Sequence, residues 1–183
     1  MLRSPDGKWV VLAETRREVD PLSYDLYLVK PAPGQDALAY ARTWFTRDAD
    51  DDMTPTPERA QEMRRLADAL HAAFPELATE QADAEHIEVY GPDETGVTIA
   101  FYADETAISI PYWRQQEGAT AVMEQVGHYV ALLQREAGYV TYDPQRGELF
   151  APQGDAGEAA HRLNDVTARL PDIVASIQRD HHD

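Results

Sequence analysis

The side chains of this chain best able to do chemistry are carboxylates and histidines, and their spacing assembles no recognisable catalytic unit. There are 33 Asp and Glu and six His against 16 Lys and Arg. Cysteine is absent, which removes thiol nucleophiles, disulfides and thiolate-held metals. Covalent catalysis through oxygen needs a hydroxyl beside a base and an oxyanion hole. No Gly-x-Ser-x-Gly occurs, and Ser4, Ser23, Ser109 and Ser176 have no such setting. Neither Gly-x-Gly-x-x-Gly nor a Walker sequence is present to cradle phosphate. His71, His86, His128 and His161 are far apart, and His181-His182 belong to the tail. Asp48, Asp50, Asp51 and Asp52 form an acid run without the glycine and terminal glutamate of a calcium loop. Glu58 and Glu62 share a helical face, but the paired Glu-x-x-Glu motifs of all-helical pyrophosphatases are missing from the expected helices. The expectation is no catalytic residue, no metal and no cofactor.

Charge speaks about partners instead. The formal net charge is -17, yet 43% of residues are hydrophobic and periodically placed, so a fold rather than disorder is expected. Such acidity opposes phosphate backbones and excludes nucleic acid as the expected partner. It favours a basic protein, or solubility alone. No apolar run approaches the ~18 residues of a membrane helix, and no secretory leader is visible, so a soluble cytoplasmic protein is expected.

From Leu66 to Trp113 there is no Lys or Arg. Within that stretch Glu85, Glu88, Asp93, Glu94, Asp104 and Glu105 fall on or beside the turns of three expected strands, where they should gather on one region. The stretch ends in Tyr112-Trp113-Arg114, residue types common at interface hot spots. These nine residues are the candidate partner-binding set. The competing structural reading puts Tyr112 and Trp113 under the following helix. A rival from another class is a small-molecule pocket or enzyme site between sheet and helices, lined by His128, Tyr129 or Tyr142. A third reading is a homo-oligomer assembled through the last helix.

The elements that position these residues read as follows. Lys8 to Ala13 and Tyr24 to Lys30 are strands, the second with Leu26 and Leu28 on one face. Asp36 to Phe45 is a short helix, with Trp44 and Phe45 in the core. Thr56-Pro57 caps and opens a longer helix that carries Met63, Leu66 and Leu70 and stops at Pro75. Strands follow at His86 to Tyr90, Val97 to Phe101 and Ile108 to Tyr112, with connections short enough to force antiparallel pairing. Thr120 to Ala137 is a second long helix with Gly138 beyond its end. Tyr139 to Tyr142 and Glu148 to Phe150 flank an Asp143-Pro-Gln145 turn, and Ala156 to Arg179 is helical, interrupted at Pro171. The fold class is α+β: a mainly antiparallel sheet with helices packed on one face, plus a C-terminal helix. One domain is expected over 1–183, with a core of about 23–150, an N-terminal strand extension over 1–22 and the C-terminal helix over 156–180.

Ser23-Tyr-Asp-Leu-Tyr27 followed by Pro-Ala-Pro-Gly, the Pro-Thr-Pro helix start, Phe74-Pro75 and Tyr142-Asp-Pro-Gln145 together resemble a family of small proteins of high-GC bacteria. Some members of that family resemble immunity proteins of polymorphic toxin systems. The resemblance covers Ser23 to Phe150 and departs at both ends. It implies a non-catalytic protein that neutralises a basic toxin, and it carries no catalytic residue over.

Overall fold

The computed structural model describes residues 2–3, 9–10, 23–47, 54–82, 86–112, 118–152, 154 and 157–165. Its strands are β1 (Leu2–Arg3), β2 (Trp9–Val10), β3 (Ser23–Val29), β4 (Ala78–Ala82), β5 (Ile87–Tyr90), β6 (Thr98–Phe101), β7 (Thr106–Pro111), β8 (Val140–Asp143) and β9 (Glu148–Leu149). Its helices are α1 (Ala37–Thr46), α2 (Pro57–Ala73), α3 (Ala119–Ala137) and α4, described over 157–165. Seven strands form one antiparallel sheet in the order β4-β5-β6-β7-β3-β8-β9. The α+β class is the expected one.

The long helices form where the end signals stand. The Thr56 side chain accepts from Arg59 N at 3.2 Å and Pro57 takes the first turn of α2, where its missing N–H costs nothing. Asp36 caps α1 through Ala39 N at 2.7 Å. Gly138 ends α3 at φ 71°, a left-handed conformation that a Cβ would strain. Met63, Leu66 and Leu70 of α2 and Val122, Val126, Tyr129, Val130 and Leu133 of α3 are buried against Tyr24, Leu26, Leu28, Ile99, Ile108 and Ile110 of the sheet. Ala159, Ala160 and Leu163 of α4 complete that core beside α3.

One helix stands apart from the expected single layer. Side chains alternate across a strand, and β3 is buried on both faces. Tyr24, Leu26 and Leu28 meet α2 and α3, whereas Tyr27 and Val29 meet Ala41, Trp44 and Phe45 of α1. Tyr142, Val140 and Leu149 join this second cluster. Its rings touch edge-on or tilted: Tyr27 with Trp44 at 5.8 Å, Tyr27 with Phe45 at 5.4 Å and Phe45 with Tyr142 at 5.7 Å. Thus α1 covers the β3-β8-β9 part of the opposite face. Periodicity marks an apolar stripe but not which face of a sheet receives it.

Two further differences concern strands. Of the strand expected over Lys8 to Ala13, Trp9 and Val10 are described and stand apart from the main sheet. Trp9–Val10 pairs with Leu2–Arg3 in a separate two-stranded sheet, and Val11 to Ala13 lie outside the described residues. β4 arises from Ala-Thr-Glu-Gln-Ala, which has no apolar alternation, because β5 supplies its hydrogen-bond partners. The helix expected beyond residue 165, with Pro171, lies outside the described residues.

Candidate functional site

The β5-β6-β7 meander places the acidic candidates at both ends of the sheet. Consecutive hairpins turn at opposite ends. Asp93 and Glu94 occupy the β5–β6 turn, exposed, while Asp104 and Glu105 occupy the β6–β7 turn, half-buried. The four residues of β6 separate the two ends by roughly 14 Å. The turns are firmly built. Thr95 N donates to Pro92 O at 2.8 Å, and Gly96 sits at φ 62°. A Cβ on Gly91 would come within 2.9 Å of Thr95 Oγ1.

Glu88 lies between the ends, on the sheet face turned away from α2 and α3, opposite Ala100 of β6. Its carboxylate accepts from Tyr90 Oη. Tyr102, the exposed large aromatic of this face, stacks on His86 at 5.8 Å. Burial pushes the Tyr102 phenol above its usual range, and the charges of Glu88 and Glu105 push it further. Tyr112 continues β7 at the β5–β6 end, but its ring is 2% exposed and packs in the main core. Glu85, Trp113 and Arg114 lie outside the described residues.

Cations reach this half of the sheet from α1 and α2. Arg47 stacks over Trp44 at 5.4 Å and pairs with Asp104. Arg59, with its side chain 13% exposed, is a structural hub. Its guanidinium donates to Tyr102 O at 2.9 Å, Glu105 O at 2.7 Å, Thr106 Oγ1 at 3.1 Å, Tyr139 Oη at 2.5 Å and Glu62 Oε2 at 2.7 Å. Burial alone would raise the Glu62 carboxyl, but hydrogen bonds from Arg59 and Lys30 outweigh it and hold the group below its usual range. Sequence reasoning passed over Arg59, because nothing around it but the Thr56 cap signals its reach.

The fold also brings together two of the motifs that carried the resemblance, Ser23 to Tyr27 and Tyr142 to Gln145. Tyr24 donates to Oδ2 of Asp143, which is 0% exposed. Asp143 also accepts from Arg146 N at 3.1 Å. The β3–β8 ladder ends at Tyr142, and the Gln145 side chain takes over the strand's role. With its amide oriented to match donor to acceptor, it accepts from Asp25 N and donates to Asp25 O and to Asp143 Oδ1, each at 2.9 Å. The Asp25 carboxylate, 4% exposed, accepts from Ser109 at 2.7 Å and from Ser23 at 2.9 Å. Arg146 ties the same turn to β9 and α4 through Glu148 and Glu158, each at 3.0 Å. Burial raises the Asp143 carboxyl, and the hydrogen bonds from Tyr24 and Arg146 pull it part of the way back. Burial and the neighbouring Asp143 charge raise the Tyr24 phenol strongly. A carboxylate this buried meets no substrate, and its chemistry is that of a joint between β3 and the β8–β9 turn.

The three residues of the pocket reading diverge. His128 is exposed on α3, lining a groove of about 460 Å³ with Glu124, Gly127, Ala131 and Pro152. Tyr129 is 1% exposed and meets Phe74 edge-on at 4.8 Å. Tyr142 belongs to the α1 cluster on the other face. Among the described residues no three His, Asp or Glu lie close enough to hold a metal ion, and no helix is long and apolar enough to cross a membrane.

Comparison with known proteins adds no relative: no family model matches the chain, and neither the curated proteins nor the solved structures contain a match.

Proposed function

We propose that the protein is a non-catalytic binding module that docks a basic protein through the acidic half of its sheet. Its concrete form is an immunity protein that neutralises a basic toxin such as a nuclease. The observation that carries this reading is the charge of β4 to β7. The stretch from Leu66 to Trp113 holds all four strands and their turns and contains no Lys or Arg. Among the described residues the cations that reach this half, Arg47 and Arg59, both engage the β6–β7 end. Glu88, Asp93 and Glu94, on β5 and in the β5–β6 turn, make up the working surface, with Glu105 and the Arg47-paired Asp104 at its margin. Complementary charge of this kind raises the encounter rate and rejects acidic competitors. The resemblance over Ser23 to Phe150 supports the toxin-neutralising form.

The test is a triple substitution, Glu88→Gln, Asp93→Asn and Glu94→Gln. Asp93 and Glu94 are exposed and Glu88→Gln keeps an acceptor for Tyr90 Oη, so the cost in stability should stay within about 1 kcal/mol, checked by a thermal melt. Parent and variant are used as baits in host extract at low ionic strength. The parent should retain a basic protein, and the variant should associate with that protein about tenfold more slowly, with a weaker salt dependence. Retention of no basic protein, or equal association rates, overturns the reading.

A further inference from the structure

We infer that β4 is a docking edge, on which an extended basic segment of the partner pairs as an added strand. The inference rests on the acidic-binding reading above and specifies how the partner is held. β4 closes one side of the seven-stranded sheet and, among the described residues, pairs with β5 alone, through Ala78 with Tyr90, Thr79 with Val89, Gln81 with Glu88 and Ala82 with Ile87. Its other side presents backbone N–H and C=O groups to which no strand among the described residues is paired. Ala78 and Thr79 are exposed there.

Edge strands invite pairing, and proteins normally blunt them with proline, lysine, extreme shortness or a covering element. The opposite edge, β9, is blunted by its length of two residues. β4 has five residues, with neither proline nor lysine. Its defences are one irregularity between Thr79 and Gln81 and the charge of Glu80.

That charge selects the occupant. Glu76, Glu80 and Glu88 lie on or beside this edge and residues 76–88 contain no cation; Asp83 and Glu85 of that stretch lie outside the described residues. A second copy laid edge to edge would set this segment against itself, and each copy carries a formal charge of -17. An extended basic chain meets the edge with opposite charge. In such strand addition the main-chain bonds give affinity and alternate side chains give selectivity. An arginine on the added strand stands two strand spacings, about 10 Å, from Glu88 on β5, within the joint reach of the two side chains.

The test uses the full chain, isotopically labelled, at low salt. The probe is the heptapeptide Arg-Val-Arg-Thr-Arg-Val-Arg, with two controls: the same peptide N-methylated at alternate amides, and a version with Glu for every Arg. The basic peptide should slow amide exchange at Ala78–Ala82 by about tenfold or more, and the N-methylated peptide should bind at least about tenfold more weakly. The acidic peptide should not bind. Equal binding of the N-methylated peptide overturns the edge while leaving the acidic-surface reading intact, since charge alone would then suffice. Binding of the basic peptide without protection of β4, or no binding at all, also overturns it. A stable dimer with β4 amides already protected assigns the edge to a second copy and likewise overturns it.

Discussion

Tyr24→Phe should destabilise the protein by about 2–3 kcal/mol at neutral pH, and much less in acid. The substitution keeps the ring, which is 1% exposed among the core residues, and removes only the hydroxyl that donates to Asp143. Asp143 retains its bonds from Arg146 N and Gln145 but loses a donor where water does not reach it. A hydrogen bond to a buried charge is worth about 1.5–3 kcal/mol, and leaving the charge short of a donor puts the cost in the upper part of that range. At about 2–4 °C per kcal/mol for a chain of this size, the melting temperature should fall by about 4–12 °C. The pH dependence separates this cause from lost packing. Burial already raises the Asp143 carboxyl, and the Tyr24 hydroxyl opposes that rise. Without the hydroxyl the native group rises further. A carboxyl raised in the native state binds its proton there before it does so unfolded. Its penalty is therefore absent below the unfolded value of about 3.9 and grows as pH climbs through the native value. Urea unfolding followed by circular dichroism at about pH 4 and pH 7 should show parent and variant close together in acid and apart at neutrality. A loss below about 0.5 kcal/mol, or the same loss at both pH values, would refute the argument, because Asp143 would then not depend on Tyr24 for its charge.

Further outcomes follow from the Arg59 hub. Arg59→Ala should cost about 3 kcal/mol, since it strips five contacts, leaves Glu62 with Lys30 alone and takes a donor from the Tyr102 and Glu105 carbonyls. Arg59→Lys keeps the charge but not the planar fork, so thermal melts should show it recovering less than half of that loss; full recovery would mean charge rather than geometry holds the turn. Glu62→Gln should flatten the acid limb of stability. A carboxyl lowered in the native state contributes above its unfolded value of about 4.3 and loses that contribution as pH falls through the lower native value. The partly exposed pair limits the effect to about 1 kcal/mol, read from urea midpoints between about pH 5 and pH 3; an unchanged acid limb would count against it.

Several elements are legible from local chemistry alone. Thr56-Pro57 and Gly138 mark helix ends because caps are satisfied within a few residues. Leu26 and Leu28, or Ile108 and Ile110, mark strands because alternate side chains share a face. β4 is not legible in this way, because Ala-Thr-Glu-Gln-Ala becomes a strand only when β5 offers it a ladder. The side on which α1 packs is equally hidden, since the apolar stripe of Ala41, Trp44 and Phe45 would fit either face of β3.

The same division runs through the candidate site. The lack of a catalytic motif and the absence of Lys and Arg from Leu66 to Trp113 are properties of the sequence and need no fold to be stated. Where those acids stand is a tertiary matter. The meander sends Asp93 and Glu94 to one end and Asp104 and Glu105 to the other, because antiparallel hairpins alternate their turns. Arg47 then pairs with Asp104 and Arg59 binds the Glu105 carbonyl, across sequence separations of 57 and 46 residues, through contacts that no local pattern announces. Tyr24 and Asp143 lie 119 residues apart in the chain and meet only because β8 closes beside β3. Composition sets the sign of the surface. Strand order decides which acids share an end of the sheet and which edge they surround.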